Sequence, residues 1–337
     1  MNGKRWAALG IAALLFGFSV IFNFATNLAS NNFSSWSDEL LATAEEEFVE
    51  KVIIQGKGAN KILVLHVDGV IEDTGENVAS IFQSTGYQHQ TFLKMIKHAE
   101  KDRTIKGIIL KINTPGGGVV ESAEIHKKLN DFKEATKKPI YVSMGSMAAS
   151  GGYYISTPAD KIFATPDTMT GSLGVIMQGV NYSGLAEKYG VKFETIKSGP
   201  YKDIMSPSRE MTKEEREIMQ TMVDNAYQGF VDVIANGRNM SEESVRKIAD
   251  GRIYDGRQAK EIKLVDELGY FEDTVEAMKK DYKLGDIKVV EYSSNVGFGS
   301  LFSMSAQKIF SEDIEMSTLV NLLSQPNSPR LKYLYAE

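Results

Sequence analysis

Three apolar runs, each closed by turn-forming residues and followed by a stretch of helical periodicity, constrain this chain more than any other feature. Lys61-Ile-Leu-Val-Leu-His-Val67 stops at Asp68-Gly69, and Gly107-Ile-Ile-Leu-Lys-Ile112 runs into Asn113-Thr-Pro-Gly-Gly-Gly-Val119. Pro139-Ile-Tyr-Val142 runs into Ser143-Met-Gly-Ser-Met-Ala-Ala-Ser-Gly-Gly152. The first reads as a strand buried on both faces, and the other two as further strands. Residues 88–101, with Phe92, Ile96 and Ala99 on one face, and residues 121–132 and 149–155 read as helices between and after them. Alternation of this kind predicts βαβ units with right-handed crossovers, an α/β class and a largely parallel sheet. Sites in such sheets form at the carboxyl ends of the strands, and two of those ends carry unusual loops of small residues.

Further along, past Ile162-Phe-Ala164, Thr170-Gly-Ser-Leu-Gly-Val175 is another small-residue loop, and 193–197 reads as a strand entering Ser198-Gly-Pro-Tyr-Lys202. A long amphipathic helix is expected over 212–236, opened by the capping box Thr212-Lys-Glu-Glu215. Ser241 begins another helix, short helices follow near 258–262 and 273–282, and 287–292 is the last strand with a clear pattern. The tail from Ser311 to Glu337 is poorly patterned, although Leu331-Lys-Tyr-Leu-Tyr335 suits a strand or a segment lying in a groove.

At the amino end, Lys4 and Arg5 precede an uncharged run, residues 6–22, whose one polar side chain is Ser19. Seventeen residues at about 1.5 Å each barely span a hydrocarbon core of roughly 30 Å, and residues 23–28 extend the run into the interface. With the basic pair on the amino side and the next lysine at Lys51, the positive-inside rule puts the N-terminus in the cytoplasm and the remainder outside. An uncleaved anchor is favoured over a cleaved signal peptide, because the run is long and no clear Ala-x-Ala site follows. Leu40, Leu41, Ala44, Phe48 and Val52 recur with helical spacing, which predicts a juxtamembrane helix.

The 38 basic and 44 acidic residues are mixed, with a net charge of −6, so no footprint for nucleic acid exists. Absence of cysteine excludes thiolate nucleophiles and Cys-based metal sites. His66, His89, His98 and His126 lack ligand spacing, so no metal site is expected.

The loops at the strand ends suit acyl transfer. Glycines at 116–118 allow backbone N–H groups to point into a cleft and hold a developing oxyanion, and Gly151 offers a second N–H directly after a serine. Each segment also has a purely structural reading, a glycine-rich turn and a tightly packed helix start. Ser143, Ser146 and Ser150 are all candidate nucleophiles by composition. No histidine lies beyond Ser150, so the base is either His126, set well into a helix, or a lysine kept neutral by desolvation.

The set Asn113-Thr-Pro-Gly-Gly-Gly118, Met144-Gly-Ser-Met-Ala-Ala-Ser-Gly-Gly-Tyr153, Thr170-Gly-Ser-Leu-Gly-Val175, Ser198-Gly-Pro-Tyr-Lys202, residues 251–260 and residues 264–269 resembles signal peptide peptidase A in its short Gram-positive form. The similarity runs over about residues 60–292. It implies a Clp protease/crotonase-like fold of repeated ββα units preceded by one N-terminal transmembrane helix. By motif it implies Ser150 as nucleophile, Lys202 as general base, Ser172 as the hydroxyl that orients Lys202, and Gly117 and Gly151 as oxyanion donors. No cofactor or metal is implied. The resemblance further implies a membrane-anchored endopeptidase that degrades remnant signal peptides and assembles as a homo-oligomeric ring or dome, with its catalytic domain outside the cytoplasm. The domains are then an anchor at 1–30, a juxtamembrane linker or helix at 31–58, a Ser-Lys peptidase domain at 59–295 and a tail at 296–337. Two rivals are a crotonase-type acyl-CoA enzyme and a catalytically silent membrane scaffold on the same fold. Asp203, the one acidic near neighbour of Lys202, is expected to point away from it.

Overall fold

The computed structural model describes residues 48–74, 87–294 and 331–335, together with Phe16 alone in the N-terminal segment. The expected membrane anchor and most of the juxtamembrane stretch lie outside these residues. No helix among the described residues is long and apolar enough to cross a membrane. The chain divides into two units, Met1–Val49 with Ser293–Glu312, and Glu50–Tyr292 with Asp313–Glu337. Apart from Phe48–Val49 and Ser293–Ser294 at the ends of two strands, the second holds everything discussed below.

Its centre is a mostly parallel sheet. In chain order the strands are β1 (Phe48–Ile54), β2 (Lys61–Asp68), β3 (Ile105–Thr114), β4 (Gly116–Gly118), β5 (Ile140–Ala149), β6 (Lys161–Ala164), β7 (Met169–Gly171), β8 (Ile253–Tyr254), β9 (Glu267–Leu268), β10 (Lys288–Ser294) and β11 (Lys332–Leu334). The helices are α1 (His89–Lys101), α2 (Val119–Thr136), α3 (Gly151–Tyr154), α4 (Ser183–Lys188), α5 (Lys213–Arg238), α6 (Glu242–Ile248), α7 (Gly256–Glu261) and α8 (Phe271–Asp281). The main sheet runs β1-β10-β2-β3-β5-β6-β9, with β7 against β5 and β8 against β7. The β10-β2-β3-β5-β6-β9 pairings and β5–β7 are parallel, and β7–β8 is antiparallel.

Strands β2, β3 and β5 are covered on both faces, which is why their sequences are continuous apolar runs rather than alternating ones. Ile62, Val64, Ile109, Tyr141 and Phe163 pack with Val275 and Met278 of α8 and with Ile287 and Val289. Phe92 and Ile96 of α1 and Ile125, Leu129 and Phe132 of α2 are buried as well. The long helix α5 starts at the expected capping box: Thr212 accepts from Glu215 N–H while the Glu215 carboxylate accepts from Thr212 N–H.

One irregularity decides where the site forms. The β3–β5 register shifts between Ile112 and Thr114, and the Asn113 side chain takes the Met147 N–H at 3.1 Å. This bulge lets β5 change partners, pairing with β6 at Tyr141–Met144 and with β7 at Met147–Ala149. The second half of β5 thereby carries the Ala-Ala-Ser-Gly-Gly motif alongside the Thr-Gly-Ser motif.

Two expectations are corrected. Phe48–Ile54 is a strand rather than the end of a helix, since a ladder with β10 outweighs the helical spacing of its apolar residues. Residues 193–197 form no strand; they are exposed and have no neighbouring ladder among the described residues to satisfy an extended backbone.

Candidate active site

Ser150 stands at the turn from β5 into α3 with φ 51° and ψ −111°. A non-glycine residue is rarely held there, at a strain of about 1–3 kcal/mol, and such outliers concentrate at functional sites. Ser172, one residue past β7, also has positive φ, 49°. Because β5 and β7 run parallel with Ala149 opposite Gly171, the two serines are the next residues off adjacent strand ends. Ser150 N–H is tied to the Gly171 carbonyl at 2.8 Å and Ser172 N–H to the Arg252 carbonyl at 2.8 Å, which fixes both turns. Both side chains are buried, and the Ser150 hydroxyl has no hydrogen-bond partner.

The glycine loop closes over Ser150. Ile71 N–H donates to the Gly116 carbonyl and Gly118 N–H to the Ile71 carbonyl, each at 2.8 Å, so β4 is held on one side by the segment after β2. Gly116 takes φ +106°, a conformation that favours glycine. A Cβ on Gly151 would lie 3.1 Å from Gly117 N and 2.7 Å from Ser122 Oγ. Ser150, Ser172, Gly117 and Gly151, four of the five residues expected at the site, therefore gather at one place.

The chain fills this cleft itself. Strand β11 pairs antiparallel with β4, Tyr333 opposite Gly117, while Lys332 exchanges two 3.0 Å bonds with Ile176 on its other side. Val119 N–H donates to the Leu331 carbonyl at 3.4 Å and Tyr335 N–H to the Pro115 carbonyl at 2.9 Å. The alternation of an antiparallel ladder makes Tyr333 and Gly117 the bonded pair between them, so Gly117 N–H faces the Tyr333 carbonyl. That same oxygen would lie 3.1 Å from a Cβ on Gly151. The Tyr333 side chain is buried between Tyr154 (centroids 4.9 Å, stacked) and Phe230 (4.6 Å), and its hydroxyl donates to the Ala226 carbonyl at 2.9 Å. Beyond it a cavity of about 590 Å³ runs past Ser172, Ile176, Tyr227 and Leu334.

Lys202 is not in this cluster. It is exposed, in a turn where its N–H donates to the Gly199 carbonyl at 3.3 Å, and it does not reach the unpartnered Ser150 hydroxyl. Asp203 does point away from it, as expected. Its carboxylate pairs with Lys197 at 2.6 Å and Arg209 at 2.7 Å, and Arg209 continues to Glu215. Hydrogen bonds from Arg209 and then Lys197 hold the Asp203 carboxyl well below the usual carboxylate range, and those from Arg209 and Thr212 hold Glu215 at about 2.

None of the imidazoles substitutes for the lysine. His66 faces Glu291 and Asp68, His89 lies between Tyr87 and Glu124, His98 packs on Tyr292, and His126 meets Asn130 and the ring of Tyr154. Burial pulls His126 down to about 4, and it lines a separate cavity with Lys133, Thr157 and Asn236.

Sequence reasoning missed Ser122 and the aromatic walls Tyr154 and Phe230. Ser122 had a signal: it is the polar member of a buried stripe with Ile125, Leu129 and Phe132 on α2.

Residues 132–285 match the family model for peptidase family S49. The chain is 45% identical to a protein of Enterococcus faecium named as a signal peptide peptidase of the SppA type, over 89% of this chain and 88% of that one. It is 30% identical to protease 4 of Haemophilus influenzae over 82% of this chain and 46% of that one. It is 32% identical to the chloroplastic serine protease SPPA of Arabidopsis thaliana over 53% of this chain and 26% of that one. On the extent and identity of these matches, the chain belongs to peptidase family S49 and, within it, to the signal peptide peptidases A.

Proposed function

We propose that this chain is a membrane-anchored serine endopeptidase on a Clp protease/crotonase-like fold that cuts extended apolar peptides, above all remnant signal peptides, through an acyl-enzyme on Ser150. The observation that carries the reading is β11 in the cleft: a peptide strand added to the edge of β4, with its Tyr333 carbonyl facing the Gly117 N–H. Ser150 Oγ attacks a carbonyl so placed as Lys202 Nζ takes its proton. Gly117 and Gly151 N–H groups hold the oxyanion. The tetrahedral intermediate expels the leaving amine, which takes the proton from the Lys202 ammonium; the neutral Lys202 Nζ then takes a proton from a water that attacks the acyl carbon, and returns it to Ser150 Oγ as the acyl group leaves. Ser172 orients the lysine. A peptide strand bedded between Gly116–Gly118 and Ile176 favours this reading over an acyl-CoA enzyme of the crotonase type, and Ser150 at the strained turn favours it over a silent scaffold.

Lys202 reaches Ser150 from a second copy. It is exposed here, and it follows a segment whose Val180, Leu185, Tyr189, Val191, Phe193 and Ile196 expose their apolar side chains, a surface suited to burial in a homo-oligomeric ring or dome. The uncharged run at residues 6–22 anchors the assembly, with the catalytic domains outside the cytoplasm.

The seated tail provides the test. Incubation of the purified protein, followed by intact-mass measurement, is expected to show loss of residues 334–337, with Ser150→Ala keeping its full C-terminus. Equal processing in both would exclude Ser150 as the nucleophile.

A further inference from the structure

Ser122 sits four residues past Gly118 on α2, and its side chain is fully buried with no hydrogen-bond partner for Oγ. A serine inside a helix ordinarily turns its hydroxyl back to the carbonyl four residues earlier, here that of Gly118. Ser122 makes no such bond. A buried hydroxyl without a partner is costly, and alanine would fill nearly the same volume with better helix propensity. A buried orphan of this kind calls for an explanation, and its surroundings supply one.

Ser122 Oγ, Gly117 N and the Tyr333 carbonyl oxygen converge on one point. A Cβ on Gly151 would stand 2.7 Å from the first and 3.1 Å from each of the others. The other unpartnered hydroxyl at this place is Ser150 Oγ. We propose that Ser122 is a catalytic residue whose hydroxyl donates a third hydrogen bond to the oxyanion of the tetrahedral intermediate, beside the backbone N–H groups of Gly117 and Gly151. The inference rests on Ser150 being the nucleophile. That Ser122 is unbonded while a trigonal carbonyl occupies the cleft is in keeping with the role. The oxygen moves as carbon becomes tetrahedral, and a donor aimed at the later position contributes to the transition state alone.

The test compares wild type, Ser122→Ala and Ser150→Ala of the full chain on an unstructured fluorogenic peptide. It adds the affinity of acetyl-Leu-Lys-tyrosinal, whose aldehyde forms a tetrahedral adduct with the nucleophile, and of the matching carboxamide, whose carbonyl stays trigonal. Ser122→Ala is expected to lower kcat by at least about tenfold with KM within about twofold, and to weaken the aldehyde but not the carboxamide. Wild-type kcat in Ser122→Ala, with Ser150→Ala inactive, overturns the role of Ser122 alone. Parallel loss of aldehyde and carboxamide binding also overturns it, by assigning the residue to packing. Activity in Ser150→Ala instead removes the reading on which the inference stands.

Discussion

At the scale of single residues, function is written as local cost. Ser150 keeps a positive φ that an L residue resists, because the Gly171 carbonyl and the start of α3 hold its backbone on both sides. Glycine at this position would relieve the strain and alanine would not. Ser150→Gly is therefore expected to be more stable than Ser150→Ala by about 1 kcal/mol in urea unfolding, with both inactive. Equal stabilities would mean that the turn is unstrained. If β11 marks the substrate strand, as proposed, the Tyr333 ring marks the pocket for the residue before the cut. It is stacked on Tyr154, packed against Phe230 and capped by the Ala226 carbonyl, so Phe230→Ala is expected to raise KM for substrates with an aromatic residue before the cut and to lower their kcat/KM by about tenfold or more. Steady-state kinetics on peptides differing only at that residue would check this, and an unchanged preference would place the specificity pocket elsewhere.

At the scale of elements, the segment bearing Lys202 is secured by charge more than by packing. Lys197 and Arg209 clamp Asp203, and Arg209 joins it to Glu215 in the capping box of α5, so the turn is riveted to the start of a long helix. The Glu215 carboxyl is held at about 2 against an ordinary 4.5. A depressed carboxylate contributes its stability above the ordinary value and loses it as pH falls toward the folded one. Pepsin cleavage around Tyr201 is expected to accelerate as pH drops from 4.5 toward 2, and Glu215→Gln to be cut readily throughout that range. A rate in wild type that follows only pepsin's own pH profile would dissociate the turn from the network. Elements of this kind were unequally legible in the sequence. β2, β3 and β5 could be read because burial on both faces writes itself as unbroken apolar runs, and α5 because its cap is local. The helical spacing running into β1 and the strand-like pattern of 193–197 mislead because each outcome depends on a ladder partner far away in the chain, present for β1 and absent for 193–197 among the described residues. The motifs located Ser150, Ser172 and the glycines. Ser122 shows in the sequence only as a polar member of the apolar stripe of α2; that its hydroxyl is orphaned beside Gly151 emerges only from the packing of α2 against α3.

At the scale of the whole molecule, the proposed mechanism requires more than one folded chain, because Lys202 lies exposed and outside the Ser150 cluster. The tail occupies the strand proposed for the substrate, bonded to β4 on one side and Ile176 on the other, at the high effective concentration of a tethered ligand. Removal of residues 331–337 is expected to raise the initial rate on short added peptides severalfold; an unchanged rate would mean that the tail leaves the cleft freely. The larger claim is that the buried Ser150 of one copy is served by the exposed Lys202 of another. Mixing two variants, Ser150→Ala and Lys202→Ala, each inactive alone, tests it most directly, with subunits allowed to exchange and the mixture assayed on an unstructured peptide. The account predicts that the mixture regains activity, because some sites then combine an intact serine with an intact lysine from a neighbour; a mixture as inactive as its components, with subunit exchange verified, would contradict it.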